Sequence, residues 1–190
     1  MKADPPLLTM VPTWQHEDDS AIAETRIFTL RRRRGVSPNR PQSPGEFFYI
    51  DSADWVNVIA LTSANEVVVI EQFRHGNAEI TLEIPGGMVD PGEAPLTAGV
   101  RELAEETGYA GQDACLIGKV NPNPAIFNNH CHTVLVRDAV VSQAPTPELH
   151  EEIGIRLLPL AQISELIATG LIHHAMVVAA FHFLAMKGIK

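Results

Sequence analysis

Apolar positions along this chain recur with two periods, and the switches between them mark its elements. Trp55 to Leu61 and Val67 to Phe73 are apolar and rich in β-branched residues, while Ile80, Leu82 and Ile84 alternate with Glu79, Thr81 and Glu83. These patterns predict three strands of a half-covered sheet, with the glutamates on its polar side. Gly86, Gly87, Pro91 and Gly92 predict a loop. Pro95, at a first-turn position, then opens a helix that runs to about Thr107 and is closed by Gly108. Inside it Gly99 costs roughly 1 kcal/mol relative to Ala, a penalty that signals close packing there or nothing more. Further strands are expected at Leu116 to Val120, Cys131 to Arg137 and Ile153 to Leu158, and two helices at Leu160 to Ala168 and His174 to Met186. No internal repeat is visible.

The start of the chain lacks this order. Residues 1–23 carry Pro5, Pro6, Pro12 and the acidic run Glu17 to Asp19 without a clear period, which predicts a loosely draped beginning. Structure is expected from near Thr25, with a strand over Arg26 to Arg33, a loop at Pro38, Pro41 and Pro44, and a strand over Phe47 to Ile50. About fifty such residues bury little by themselves and should pack on the main domain or on a second subunit. The expected division is therefore an N-terminal arm and strand region, residues 1–50, and a main domain, residues 51–190. The first fourteen residues hold no sustained apolar core, so they do not resemble a secretory signal, and a cytoplasmic location is expected. Leu171 to Met186, interrupted by His173, His174 and His182, is too short for a comfortable membrane span and predicts a buried helix.

Charge narrows the partners. The 190 residues hold 14 Lys and Arg against 23 Asp and Glu, a formal net charge of −9, which disfavours a nucleic-acid-coating role. An anionic substrate would need a local cation, either an arginine or a bound metal. The basic run Arg31 to Arg34 is expected to be solubilising or interfacial. Cys115 and Cys131 have no C-x-x-C spacing and are expected to be reduced thiols. His173 and His174 have no matching ligand spacing and are expected to serve helix-end or core packing.

The carboxylates concentrate in one stretch, GGMVDPGEAPLTAGVRELAEETGY, from Gly86 to Tyr109. On the predicted helix, Glu102, Glu105 and Glu106 fall at i, i+3 and i+4, so three like charges project over one sector. A solvated helix face is one account of such a pattern. The other is a hard divalent cation, and Mg²⁺ fits because it accepts one or two carboxylates together with waters and substrate phosphates. Arg101, four before Glu105, can pair with it and leave Glu102 and Glu106 freer, while Glu93 can reach the cluster through a water.

The spacing of Gly87, Glu93, Arg101-Glu102-Leu103, Glu105-Glu106, Gly108 and apolar Tyr109 is similar to the signature of the Nudix hydrolases at every defined position. The resemblance implies an α+β fold, the Nudix α/β/α sandwich with a mixed sheet, preceded here by the small N-terminal β-rich subdomain. It also implies hydrolysis of a nucleoside diphosphate linked to another group. Glu102 and Glu106 are then expected as direct ligands of Mg²⁺, with Mn²⁺ as a substitute, Glu105 as a ligand or bridging carboxylate, and Gly86 as a backbone ligand. Arg101 is expected to orient Glu105.

Outside the signature, Glu71-Gln72-Phe73-Arg74-His75-Gly76 and Leu82-Glu83-Ile84-Pro85-Gly86-Gly87 resemble the branch that splits ADP-ribose and other nucleoside diphosphate sugars. That resemblance makes Arg74 the expected diphosphate clamp. Glu83, taken to face the polar side of its strand, is a candidate for a ribose hydroxyl or a metal-bound water. The amide-rich loop Asn121 to Asn129 offers Asn128 and Asn129 to a sugar or base edge and keeps GDP-mannose beside ADP-ribose as a candidate substrate. In the acidic segment Glu148 to Glu152, Glu151 is favoured over Glu152 as general base or extra metal ligand. The expected protein is a homodimeric pyrophosphatase producing a nucleoside monophosphate and a sugar phosphate. Its alternatives are an RNA 5′-pyrophosphohydrolase and a non-catalytic nucleotide-binding regulator.

Overall fold

The structure is a computed structural model and describes residues 11–189. The expectations for Pro5, Pro6 and the rest of residues 1–10 lie outside the described residues. The chain divides into two compact units, one built from the chain up to Ser52 together with Asn123–Asn128, the other from Ala53–Pro122 and the residues from Asn129 on.

The first unit is an antiparallel sheet in the order β1(Gln15–Glu24), β2(Thr29–Ser37), β3(Arg40–Asp51). Two expectations fail here. The acidic run expected to be draped lies in β1, because Asp19 is bound across the sheet by Arg31 Nε at 2.7 Å, Arg33 Nη2 at 2.6 Å and the Tyr49 hydroxyl at 2.8 Å. The predicted proline loop contracts to a tight turn. Pro41 and Pro44 sit within β3, a sheet edge where a missing N–H costs no ladder bond. The remaining arginines of the basic run face carboxylates too, Arg32 at 3.5 Å from Glu46 and Arg34 at 3.9 Å from Glu17, so the run is internally balanced. The ring of Phe47 lies over Gly35 and Gly45, positions paired across the sheet, and Trp14 meets that ring edge-on at 5.4 Å.

The second unit holds two sheets, β10(Ile153–Pro159)-β5(Glu66–Arg74)-β6(Glu79–Glu83) and β7(Gly86–Met88)-β4(Trp55–Ala60)-β9(Cys131–Val141)-β8(Tyr109–Val120). Only β4 and β9 pair in parallel, so the fold is α+β with a mixed sheet. Strand β4 is buried on both faces. Val56, Val58 and Ala60 join Leu103 and Ala98 of α1(Pro95–Thr107), while Ile59 joins Val177, Ala180, Phe181 and Leu184 of α3(Ala175–Met186). Helices thus cover the β4 layer on either side, the reason its sequence is a continuous apolar run without alternation. A short α2(Ile163–Ala168) follows a 3-10 turn over Leu160–Gln162. Gly99 is the close approach its penalty hinted at: a Cβ there would lie 2.8 Å from Val134 Cγ2 and 3.1 Å from Val56 Cγ2.

Strand β6 departs from the expected half-covered pattern. Ile80 is 71% exposed, whereas Thr81 and Glu83 are each only 3% exposed. Leu82 and Ile84 do meet the core as alternation predicted, but the opposite face is covered too, by a polar cluster around Thr81 and Glu83. Cys115 is exposed, Cys131 buried, and both are free thiols. Among the described residues no helix is long and apolar enough to cross a membrane.

Candidate active site

Helix α1 begins with Pro95 in its first turn and ends where Gly108 takes φ 73°, a left-handed cap that glycine adopts without a Cβ penalty. Its buried stripe runs through Ala98, Gly99, Leu103, Glu106 and Thr107. Glu106 therefore projects inward, 3% exposed, and its Oε2 accepts the Gly86 N–H at 3.0 Å. Glu102, one turn earlier, lies flat on Gly87, where any Cβ would collide with its carboxylate. Gly87 is thus required by Glu102 of α1, whereas Gly86 is required by β4, where a Cβ would run into the Val56 carbonyl and Asn57.

Arg101 is shared more widely than its spacing indicated. Nη1 donates to Glu102 Oε1 at 3.0 Å as well as to Glu105 Oε2 at 2.9 Å. Nε and Nη2 hold Glu93 at 3.2 and 3.1 Å, and Nη2 also donates to the Met88 carbonyl at 3.1 Å. Glu102 is therefore not freed, and Glu93 meets the cluster directly through the guanidinium. Glu106 alone of the helix carboxylates escapes this arginine. Burial, with Glu102 and Glu151 nearby, pushes its pKa up to about 8. Burial likewise lifts Glu102 to about 6 against the pull of Arg101, with Glu105 and Glu151 adding to the rise.

The two loop glutamates separate. Glu151 is partly buried, its carboxylate accepts the Glu148 N–H at 3.1 Å, and its charge acts on Glu102, Glu106 and Arg74. Glu152 is exposed.

Arg74, at the end of β5, forms a two-pronged pair with Glu83: Nε to Oε1 at 2.7 Å and Nη2 to Oε2 at 2.8 Å. Thr81 Oγ1 also donates to Glu83 Oε1, at 2.5 Å. Burial pushes the Glu83 carboxyl up, but the Arg74 and Thr81 hydrogen bonds outweigh it and hold the group below its ordinary value. Glu83 is accordingly not an exposed strand carboxylate open to a sugar hydroxyl. It is the anchor of an arginine whose side chain remains 42% exposed. The asparagine amides are engaged locally as well. Asn128 donates to Asp51 at 2.7 Å and accepts the Ser52 N–H at 3.2 Å within the first unit, and buried Asn129 donates to the Ala53 carbonyl at 2.8 Å within the second. Sequence reasoning missed Thr81 and His174, the latter 3.9 Å from Glu83 and set aside as helix-end packing. Only the folded chain brings them to that carboxylate.

The donor set fits a hard divalent cation. Glu106 is a buried carboxylate held by a single N–H, beside a second desolvated carboxylate and in the field of a third, and such an excess of negative charge is relieved by an oxygen-seeking dication. Among the described residues no three His, Cys, Asp or Glu side chains are already gathered as a cage, since Arg101 draws Glu102 and Glu105 to itself.

Comparison with known proteins gives the family. The family model described as NUDIX domain matches residues 51–181. The chain is 26% identical over 176 residues to the ADP-ribose pyrophosphatase of Bacillus subtilis (strain 168), covering 90% of this chain and 94% of the relative. It is 24% identical over 169 residues to the ADP compounds hydrolase NudE of Escherichia coli (strain K12), covering 89% of each. In fold it superposes on a crystal structure of an ADP compounds hydrolase with a TM-score of 0.80 at 20% identity, over 95% of this chain and 98% of the other.

Proposed function

This chain belongs to the NUDIX family as a pyrophosphatase-type hydrolase, and we propose that it splits the diphosphate of nucleoside diphosphate sugars, ADP-ribose and GDP-mannose among them, in a Mg²⁺-dependent reaction. The observation that carries this reading is electrostatic. The half-exposed guanidinium of Arg74 acts on Glu106 and is itself acted on by Glu151, so one fixed cation and the helix carboxylates share one neighbourhood. A diphosphate is served by both: a charged N–H donor for one phosphate and a dication to neutralise the other.

Glu102, Glu106 and the Gly86 carbonyl would hold Mg²⁺, or Mn²⁺ in its place, with Glu105 as a further or bridging ligand. Bound there, the ion would supply Lewis acidity and a more acidic water. The chain's own residues do the rest. Arg74 orients the diphosphate through its outward nitrogen, and Glu83 keeps that arginine in place. Glu151, and not exposed Glu152, takes the proton of the attacking water at its carboxylate. Asn128 and Asn129 serve by shaping the loop they terminate. The first unit, with Ile22, Phe47 and Phe48 about half exposed on a sheet of three strands among the described residues, is the proposed homodimer contact.

Incubation with Mg²⁺ and a panel of ADP-ribose, GDP-mannose, other nucleotide sugars and triphosphorylated RNA tests this, with products identified by mass. Nucleoside monophosphate plus sugar phosphate is expected. Turnover confined to RNA would overturn the substrate class, and binding without turnover would overturn the catalytic reading.

A further inference from the structure

His174 stands at the N-terminal boundary of α3 with its main chain fixed, because its carbonyl accepts the N–H groups of Val177 and Val178, both at 3.0 Å. Its ring meets Glu83, the carboxylate that grips Arg74. Nε2 lies 3.9 Å from Glu83 Oε2, while Nδ1 is buried and has no hydrogen-bond partner. Burial holds the imidazole below its ordinary pKa, so the ring carries one proton. A buried N–H without an acceptor costs more than an unshared lone pair, which puts that proton on Nε2, facing the carboxylate. His173, beside it, faces Glu79 at 3.7 Å, but that pair is largely exposed and contributes little.

The constraint on Glu83 is then two-sided. Oε1 is fixed by Thr81 and by Arg74 Nε, and Oε2 is fixed by Arg74 Nη2 and faced by His174. We propose that His174 is a positioning residue for Arg74: it holds the Oε2 side of the Glu83 carboxylate, so that the plane of the guanidinium, and with it the direction of Nη1, is set before a substrate phosphate arrives. The inference rests on the reading of Arg74 as the phosphate clamp. At 3.9 Å the contact is longer than a direct hydrogen bond, so the ring acts as an oriented N–H dipole or through one shared water. Its effect is preorganisation, which appears in substrate binding more than in the chemical step.

The test measures ADP-ribose binding by calorimetry in chelator, and KM and kcat with Mg²⁺, for His174→Phe, His174→Gln, Arg74→Ala and the Phe/Ala double variant. His174→Phe is expected to weaken binding and raise KM about three- to ten-fold with kcat within about two-fold. His174→Gln, which keeps an N–H near the Nε2 position, should restore most of the loss. In the Arg74→Ala background His174→Phe should change little. Unaltered binding in His174→Phe, or an equal loss with and without Arg74, would overturn the positioning role while leaving the clamp intact. Unaltered KM and binding in Arg74→Ala would overturn the clamp and the inference together. Should His174→Phe fail to fold, His174→Asn removes the same Nε2 contact at smaller volume and is judged by the same criteria.

Discussion

Replacing Glu106 with glutamine should stabilise the metal-free protein, and only above mildly acidic pH. The carboxyl is 3% exposed and accepts one N–H, and its pKa rises from 4.5 to about 8. A raised folded-state pKa means that the native state keeps a proton the unfolded chain has released. The contribution of Glu106 is therefore fully present below about pH 4.5 and is lost as pH climbs through about 8. Each pH unit inside that window costs about 1.4 kcal/mol, so pH 5 to pH 8 spans at most roughly 4 kcal/mol. Glu102 titrates in the same interval and shares the proton equilibrium, which brings the expected change to on the order of 2–4 kcal/mol. Glutamine is close in volume, still accepts the Gly86 N–H and cannot ionise. Urea unfolding in the presence of chelator at pH 5 and pH 8 measures the difference between Glu106→Gln and the parent, and titrations common to both proteins cancel in it. The variant should gain 2–4 kcal/mol on the parent between the two pH values. Adding Mg²⁺ should stabilise the parent and do little for the variant, because ligand binding to the native state raises stability only where the site survives. An identical stability difference at both pH values would refute the account of a buried, repelled carboxylate.

Three further outcomes follow from the same geometry. Glu151→Gln should lower kcat by about 10²–10⁴-fold while Glu152→Gln stays near the parent, read in steady-state hydrolysis, and equal effects would mean that the loop glutamates are not distinguished by burial. Gly99→Ala, which gains about 1 kcal/mol of helix propensity, should nevertheless lower stability by about 1 kcal/mol, because its methyl meets Val134 and Val56; a rise in Tm would show that the sheet can yield. Phe48→Ser combined with Ile22→Ser should shift the sedimentation mass from dimer to monomer, and an unchanged mass would remove the first unit from the interface.

The second unit was largely legible as elements. The ends of α1 were written in Pro95 and Gly108, β4, β5 and the last helix in their apolar runs, and β6 in its alternation. The signature spacing located Glu102, Glu105, Glu106 and Arg101 because a helix repeats every 3.6 residues, so residues of known separation share a face whatever packs on it. The first unit was less legible. Strand β1 is acidic and without period, and it exists because arginines 12 and 14 residues away close on Asp19, a pairing across strands that no local pattern carries.

By itself, then, the sequence determined the family and the helix that bears the carboxylates; Gly86 and Gly87, which it placed in a loop, form the short strand β7 on β4. Tertiary structure decided what each charge does. It turned Glu106 inward and left Glu105 at 43% exposed, and it spread Arg101 over three carboxylates. It also buried Glu83 on the face that alternation had called open, and set His174 against it. The physical reason is that spacing fixes direction along one element, while burial and charge depend on the elements that arrive from elsewhere in the chain.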